Sequence, residues 1–141
     1  MKGHDILRVT AKALIPLIFL FGLYVQFHGD FGPGGGFQAG VIFAAAIILY
    51  ALIFGLDEAK AVVPPRVLEV IAALGVLLYA GVGVVTMIKG GTFLAYNALD
   101  PAHPTHGQHL GILLVELGVG LTVTAVMCAI FFAFAERGRR T

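Results

Sequence analysis

The chain has 141 residues, of which 59% are apolar and only 12% charged, with a net charge of +1. Soluble domains average about 25% charged residues, so this composition excludes a water-facing globular domain and places the chain in a bilayer. The scattered basic residues exclude a nucleic-acid partner, and the single cysteine, Cys128, excludes an internal disulfide and a cysteine-only metal site.

A transmembrane helix needs about 20 predominantly apolar residues, and four segments meet that requirement. The first covers residues 9–27. Lys2, Arg8 and Lys12 open it as they would open a signal peptide, but no A-x-A-like site closes it, so it reads as a retained span. Lys12 can snorkel to the nearer surface. Pro16 frees a backbone carbonyl and predicts a kink.

The stretch QFHGDFGPGGGFQAG, residues 26–40, follows. Gly34 to Ala39 fit G-x-G-x-x-A on letters alone. A membrane span precedes them rather than a soluble strand, and the lysine of a phosphate-binding loop is missing, so a nucleotide site is excluded. The glycines instead permit a tight reversal that starts the second helix near Phe37. Unpaired N–H groups at such a start attract negative charge, and Asp30 is near enough in sequence to supply it. Pro33, Gly34, Gly35, Gly36, Phe37 and Gln38 make either a plain hairpin, or a turn that docks into a neighbouring subunit or lines an ion path.

The second span covers 37–55, with Gly40, Ala44, Ala51 and Gly55 on one stripe. A turn with Asp57, Glu58, Lys60, Pro64 and Pro65 ends it. The third covers 67–88, and Glu69, Ala73, Val76, Ala80 and Gly83 form a second stripe. Glu69 sits near Arg66 and the membrane surface, where capping or snorkelling is the first reading and transport the second. Residues 89–109 form a polar loop in which His103, His106 and His109 recur beside Asp100. Three readings attach to it: a surface loop, a proton collector titrating near neutrality, or a zinc site. Pro101, Pro104 and Gly107 keep a rigid helix from presenting the histidines together, so no metal site is expected.

The fourth span covers 110–135, with Glu116, Gly120 and Thr124 repeating every four residues. Glu116 lies roughly 10 Å below His109 along the helix, and the i, i+7 spacing puts both on one face. An ionisable group at that depth is costly, and function is its default reading. It is either a proton relay fed by His109, or an inter-helix hydrogen bond that holds an assembly. His28 and Asp30 join it as candidates for surface proton handling.

The expected fold is therefore one all-α integral membrane domain, residues 1–141, with four transmembrane helices. Both termini and the second connection carry Lys2, Arg8, Lys12, Lys60, Arg66, Arg137, Arg139 and Arg140, against Lys89 alone on the other side. That bias predicts cytoplasmic termini. The small-residue stripes suit close helix packing in lipid and leave faces for other chains. No arrangement of nucleophile, base and oxyanion donors is present, so neither an enzyme nor a cofactor is expected.

FHGDFGPGGGFQAG after a first span, with HGQHLGILLVELGVGLTVTAVM in the fourth, resembles the MnhB/MrpB family of small subunits of the Mrp/Mnh-type multisubunit cation/proton antiporter. The likeness covers nearly the whole chain, although many members of that family carry a second histidine where this chain has Asp30. The resemblance implies a multi-pass subunit of the cell membrane that a working complex requires. It implies large A and D type subunits as partners, which carry the proton channels, and exchange of a monovalent cation, chiefly Na⁺, for protons. The chain is also similar to a subunit of membrane-bound hydrogenases. Without the resemblance, two readings compete: a stand-alone homo-oligomeric channel with Glu116 lining its pore, and a structural adaptor with no titrating residue of consequence.

Overall fold

The structure, a computed structural model, describes residues 2–29 and 35–139, with side chains from Asp5 onward; Asp30, Pro33 and Gly34 lie outside the described residues. The chain forms α1 (Lys2–His28), α2 (Gly36–Phe54), α3 (Leu56–Val62), α4 (Pro65–Ile88), a short 3₁₀ turn (Tyr96–Ala98) and α5 (Pro104–Arg139). Four of these, α1, α2, α4 and α5, are long and apolar enough to cross a membrane.

Helix α1 begins seven residues before the expected first span, and two further boundaries differ. The second connection is mostly helix rather than turn. Gly55, at φ 110°, breaks the chain direction, and α3 then carries Asp57 and Glu58 in its first turn and Lys60 in its last, the charge order that the helix dipole favours. Pro64 stops α3, and Pro65 opens α4 at a position where a missing N–H costs nothing. The helix that carries the fourth span also begins six residues before that span. Pro104 is its first residue, so His106 and His109 stand on a helix, contrary to the expectation that Pro104 and Gly107 would keep them in a loop. Gly107 is tolerated inside that helix because the Tyr96 carbonyl fills its side-chain space: a Cβ there would stand 2.7 Å from Tyr96 O. At 36 residues, α5 is about 54 Å long and outreaches a hydrocarbon core of about 30 Å.

Helix α5 is central, packed between α2 and α4, while α1 lies mainly against α2. The two α5 seams use different faces and the same device. Toward α4, Gly75 and Gly118 put backbone on backbone, since a Cβ on Gly75 would lie 2.6 Å from Gly118 O and one on Gly118 would lie 2.8 Å from Gly75 O. Toward α2, a Cβ on Gly40 would lie 2.8 Å from Gly120 O, and the Thr124 hydroxyl donates to Gly40 O at 3.2 Å and to Gly120 O at 2.7 Å. In lipid, where apolar surface gives no drive to associate, such close packing and hydroxyl bonds hold helices together.

The small-residue stripe on α2 thus faces the core: Gly40, Ala44 and Ala51 are buried. The stripe expected on α4 is offset from the packed face. Leu68, Gly75, Val82, Gly83 and Thr86 are buried, whereas Glu69, Ala73 and Val76 face outward.

One end of the bundle gathers the start of α1, the end of α5 and the α2–α4 connection. Arg139 Nη1 reaches the Asp57 carboxylate at 2.9 and 3.0 Å, and Lys60 pairs with Glu136. Arg8 and Lys12 both lie over the Phe54 ring, at 5.9 and 5.8 Å from its centroid. The Arg139 guanidinium beside Asp57 holds that carboxyl below its usual range. The opposite end carries Gly29, Gly35 and the 89–103 segment.

Candidate functional site: a carboxylate seated against the glycine turn

Glu116 lies half-buried on α5, and the first and second helices meet it with glycines. A Cβ built on Gly29 would stand 2.5 Å from Glu116 Oε1, and one on Gly35 would stand 2.7 Å from the same atom. On Gly36 a Cβ would overlap the main-chain carbonyl oxygen of Glu116 and lie 2.7 Å from its carbonyl carbon. Three glycines of one stretch are therefore the space in which one glutamate fits. Gly35, at φ 151°, also holds a conformation that side-chain-bearing residues rarely adopt.

The electrostatics follow from this packing. Gly35 is the N-cap of α2, no side chain caps it, and the first turn contains no acidic residue. The carboxylate beside that end belongs to Glu116 and arrives from α5. A charged residue at the centre of a membrane helix costs about 2.5–3.5 kcal/mol on insertion scales. A helix N-terminus in a partly buried setting returns up to about 2 kcal/mol. The two are of the same order, so the start of α2 offsets much of the cost of placing Glu116 here. The charge that the sequence leads one to expect at this end is that of Asp30, which lies outside the described residues.

The other predicted residues separate into groups. His109 is exposed and lies on the Glu116 face of α5, two turns toward the helix start. His28 is half-buried at the end of α1, next to Gly29, with its ring stacked on Tyr24 at 5.1 Å between centroids. Gly35 and Gly36 are buried against α5, while Phe37, 60% exposed, and Gln38 point outward. Glu69 is not part of the cluster. It is exposed near the start of α4, and its neighbour Leu68 packs with Cys128, about 18 Å along α5 from Glu116.

The histidine segment forms a separate arrangement around Asp100. His103 donates its backbone N–H to Asp100 Oδ1 at 3.2 Å, and His106 Nδ1 lies 3.2 Å from Asp100 Oδ2. The His103 amide and the neighbouring imidazoles hold the Asp100 carboxyl below its usual range. Among the described residues no three His, Cys, Asp or Glu side chains are placed to hold a metal ion. The segment is tied down by Thr86, which is fully buried: its hydroxyl donates to Gly83 O at 2.7 Å and accepts from Leu94 N at 3.0 Å.

Two participants are not evident from the sequence. Gly29 stands inside the FHGDFGPGGGFQAG stretch but as a letter signals only the turn. Gln26, 3% exposed, lies one turn before Gly29 on the same face of α1, and its amide approaches Gly120. A polar residue inside an apolar run is the one signal that points to it.

Residues 6–129 match the family described as a domain related to the MnhB subunit of the Na⁺/H⁺ antiporter. The chain is similar to the putative antiporter subunit mnhB2 of Staphylococcus aureus strain Newman, and equally to that of strain JH1. Each is 32% identical over 138 residues, spanning 96% of this chain and 97% of the relative. With a family match over most of its length and relatives covered almost end to end, the chain belongs to the family of the MnhB subunit of the Na⁺/H⁺ antiporter.

Proposed function

We propose that the chain is a membrane subunit of a multisubunit Na⁺/H⁺ antiporter, and that Glu116 is a station on a proton path entering from the side of the glycine turn. The observation that carries this reading is the fit of the Glu116 carboxylate against Gly29 and Gly35 at the start of α2, where no side chain of that helix supplies a cap. A carboxylate seated that way is held in one place without being sealed off, as a group that loads and releases a proton requires. His109, on the same face of α5, and His28 and Asp30, at the turn, are the groups that would pass protons to it from outside.

The charge distribution supports cytoplasmic termini in a cell-membrane protein. Among the described side chains, the end that joins Arg139 to Asp57 and Lys60 to Glu136 carries Arg8, Lys12, Lys60, Arg66, Arg137 and Arg139, against Lys89 at the other, the bias that the positive-inside rule associates with the cytoplasm. The outward faces support partnership with larger subunits of the A and D type. Glu69, Ala73 and Val76 on α4, and Phe37 and Gln38 beside the turn, are exposed in the single chain, and small or aromatic residues at such faces suit helix contacts in lipid.

Tagging the chain at its C-terminus, extracting native membranes in mild detergent and identifying co-migrating proteins by mass spectrometry tests the subunit reading. Large antiporter-type chains are expected in the same band. Migration as a small homo-oligomer would replace this reading with that of a stand-alone channel, and co-migration with redox subunits would point to a hydrogenase complex.

A further inference from the structure

The Gln26 side chain is a polar group whose surroundings do not satisfy it. It is 3% exposed, and its amide nitrogen is buried without a hydrogen-bond partner among the described residues. A buried donor left unpaired costs the full desolvation of that group, and folded proteins meet such demands with ordered water where protein groups do not reach.

The geometry places this amide in line with Glu116. On α1, Gln26 and Gly29 are three residues apart and share a face; on α5, Glu116 and Gly120 are four apart and share another. Gly29 meets the Glu116 carboxylate, and Gln26 Oε1 would stand 2.6 Å from a Cβ on Gly120. The amide therefore lies one helical turn farther into the bundle than the carboxylate, a step of roughly 5 Å. Two hydrogen bonds of about 2.8 Å meeting at one oxygen span such a gap. Gly29, Gly36 and Gly120 let α1, α2 and α5 approach closely around these two polar side chains, and Gly36 O lies 3.2 Å from the Gly120 Cβ position.

We propose that Gln26 is a positioning residue that, through one bound water molecule, orients the Glu116 carboxylate and extends the polar site one turn deeper into the membrane. The water accepts from Gln26 Nε2 and donates to the carboxylate. The orphan atom selects the ligand: an amide N–H requires an acceptor, which a water oxygen supplies and a sodium ion does not. This inference rests on the reading of Glu116 as a proton station.

The test uses the complete antiporter complex expressed in everted vesicles from a host lacking its own antiporters, with Na⁺-dependent proton movement normalised to assembled complex on a native gel. Gln26→Met keeps length and removes the amide; exchange is expected to fall about tenfold with assembly retained, as for loss of a hydrogen bond to a charged group. Gln26→Asn keeps an amide that a water still reaches, and exchange is expected to return to within about threefold of the parent. Parental exchange in assembled Gln26→Met would overturn the proposal, as would an assembled Gln26→Asn no better than Gln26→Met. Should Gln26→Met not assemble, Gln26→Asn decides: exchange within threefold supports the water, and lost exchange in an assembled complex refutes it. Glu116→Gln, measured in parallel, separates the two readings. Full exchange in Glu116→Gln sinks the proton station itself, whereas its loss beside normal exchange in Gln26→Met sinks only the water.

Discussion

Replacing Gly36 by alanine tests the packing that creates the site. The added methyl would overlap the Glu116 carbonyl oxygen and stand 2.7 Å from its carbonyl carbon and 2.9 Å from its Cα. These are backbone atoms, so no side chain can swing away. Ordinary carbon contacts lie near 3.5–4.0 Å, and α2 and α5 must part by roughly 1 Å, a gap that forfeits up to about half of each dispersion contact along the seam. Overpacking of this kind costs about 1–3 kcal/mol, a factor of roughly 5 to 150 in the folded fraction. Gly81 is the internal control. Nothing lies within 4 Å of its Cβ position, and Gly→Ala inside a helix is neutral or favourable by about 0.5–1 kcal/mol. The assay is thermal stability of the purified complex together with its abundance on a native gel. Gly36→Ala is expected to lose both, and Gly81→Ala neither. Equal stability of the two variants would refute the assignment of Gly36 to the α2–α5 contact.

Gly29→Ala should behave differently, because its methyl meets the movable end of Glu116 rather than backbone; assembly is expected to persist while exchange falls at least fivefold in vesicles. Thr86→Val leaves the Leu94 amide and the turn around Thr92 without the buried hydroxyl, a loss of about 1–3 kcal/mol that should appear as a lower melting temperature and faster proteolysis of residues 89–103. Cys128, fully buried, should resist maleimide labelling until the protein is denatured. In a Cys128→Ala background, Asn97→Cys should react with a membrane-impermeant maleimide on whole cells if the termini are cytoplasmic; labelling only in everted vesicles would invert the orientation. The depressed carboxyl of Asp57 dictates the acid response of the terminal tie to Arg139: its contribution is present above the ordinary value of 3.8 and fades only as pH falls through the lower folded value. The fall in melting temperature caused by Asp57→Asn should therefore be the same at pH 8 and pH 5.

The four spans are legible in the sequence because apolar length is a direct readout of bilayer thickness, and Glu116 stands out because a carboxylate in an apolar run is costly wherever it occurs. The partner of that carboxylate is not legible. As letters, Gly29 and Gly35 signal only a turn, and their second role, leaving room for an acid from a helix about eighty residues later in the chain, is a tertiary fact without a local signature. The face of α4 is misplaced for a related reason. Small residues recur on both of its sides, and only the approach of Gly118 selects Gly75 over Ala73 and Val76. The early start of α5 shows a propensity overridden in the same way: Pro104 and Gly107 argue for a loop, but proline suits a first helical position and the Tyr96 carbonyl needs the glycine's open space.

The measurement that bears most directly on the account is Na⁺/H⁺ exchange by the assembled complex carrying Glu116→Gln, which keeps the shape of the side chain and removes its charge. The account predicts a complex of normal abundance and composition whose exchange has fallen by at least tenfold. Normal exchange in that complex would contradict it, and would leave Glu116 as an element of packing between α5 and the glycine turn.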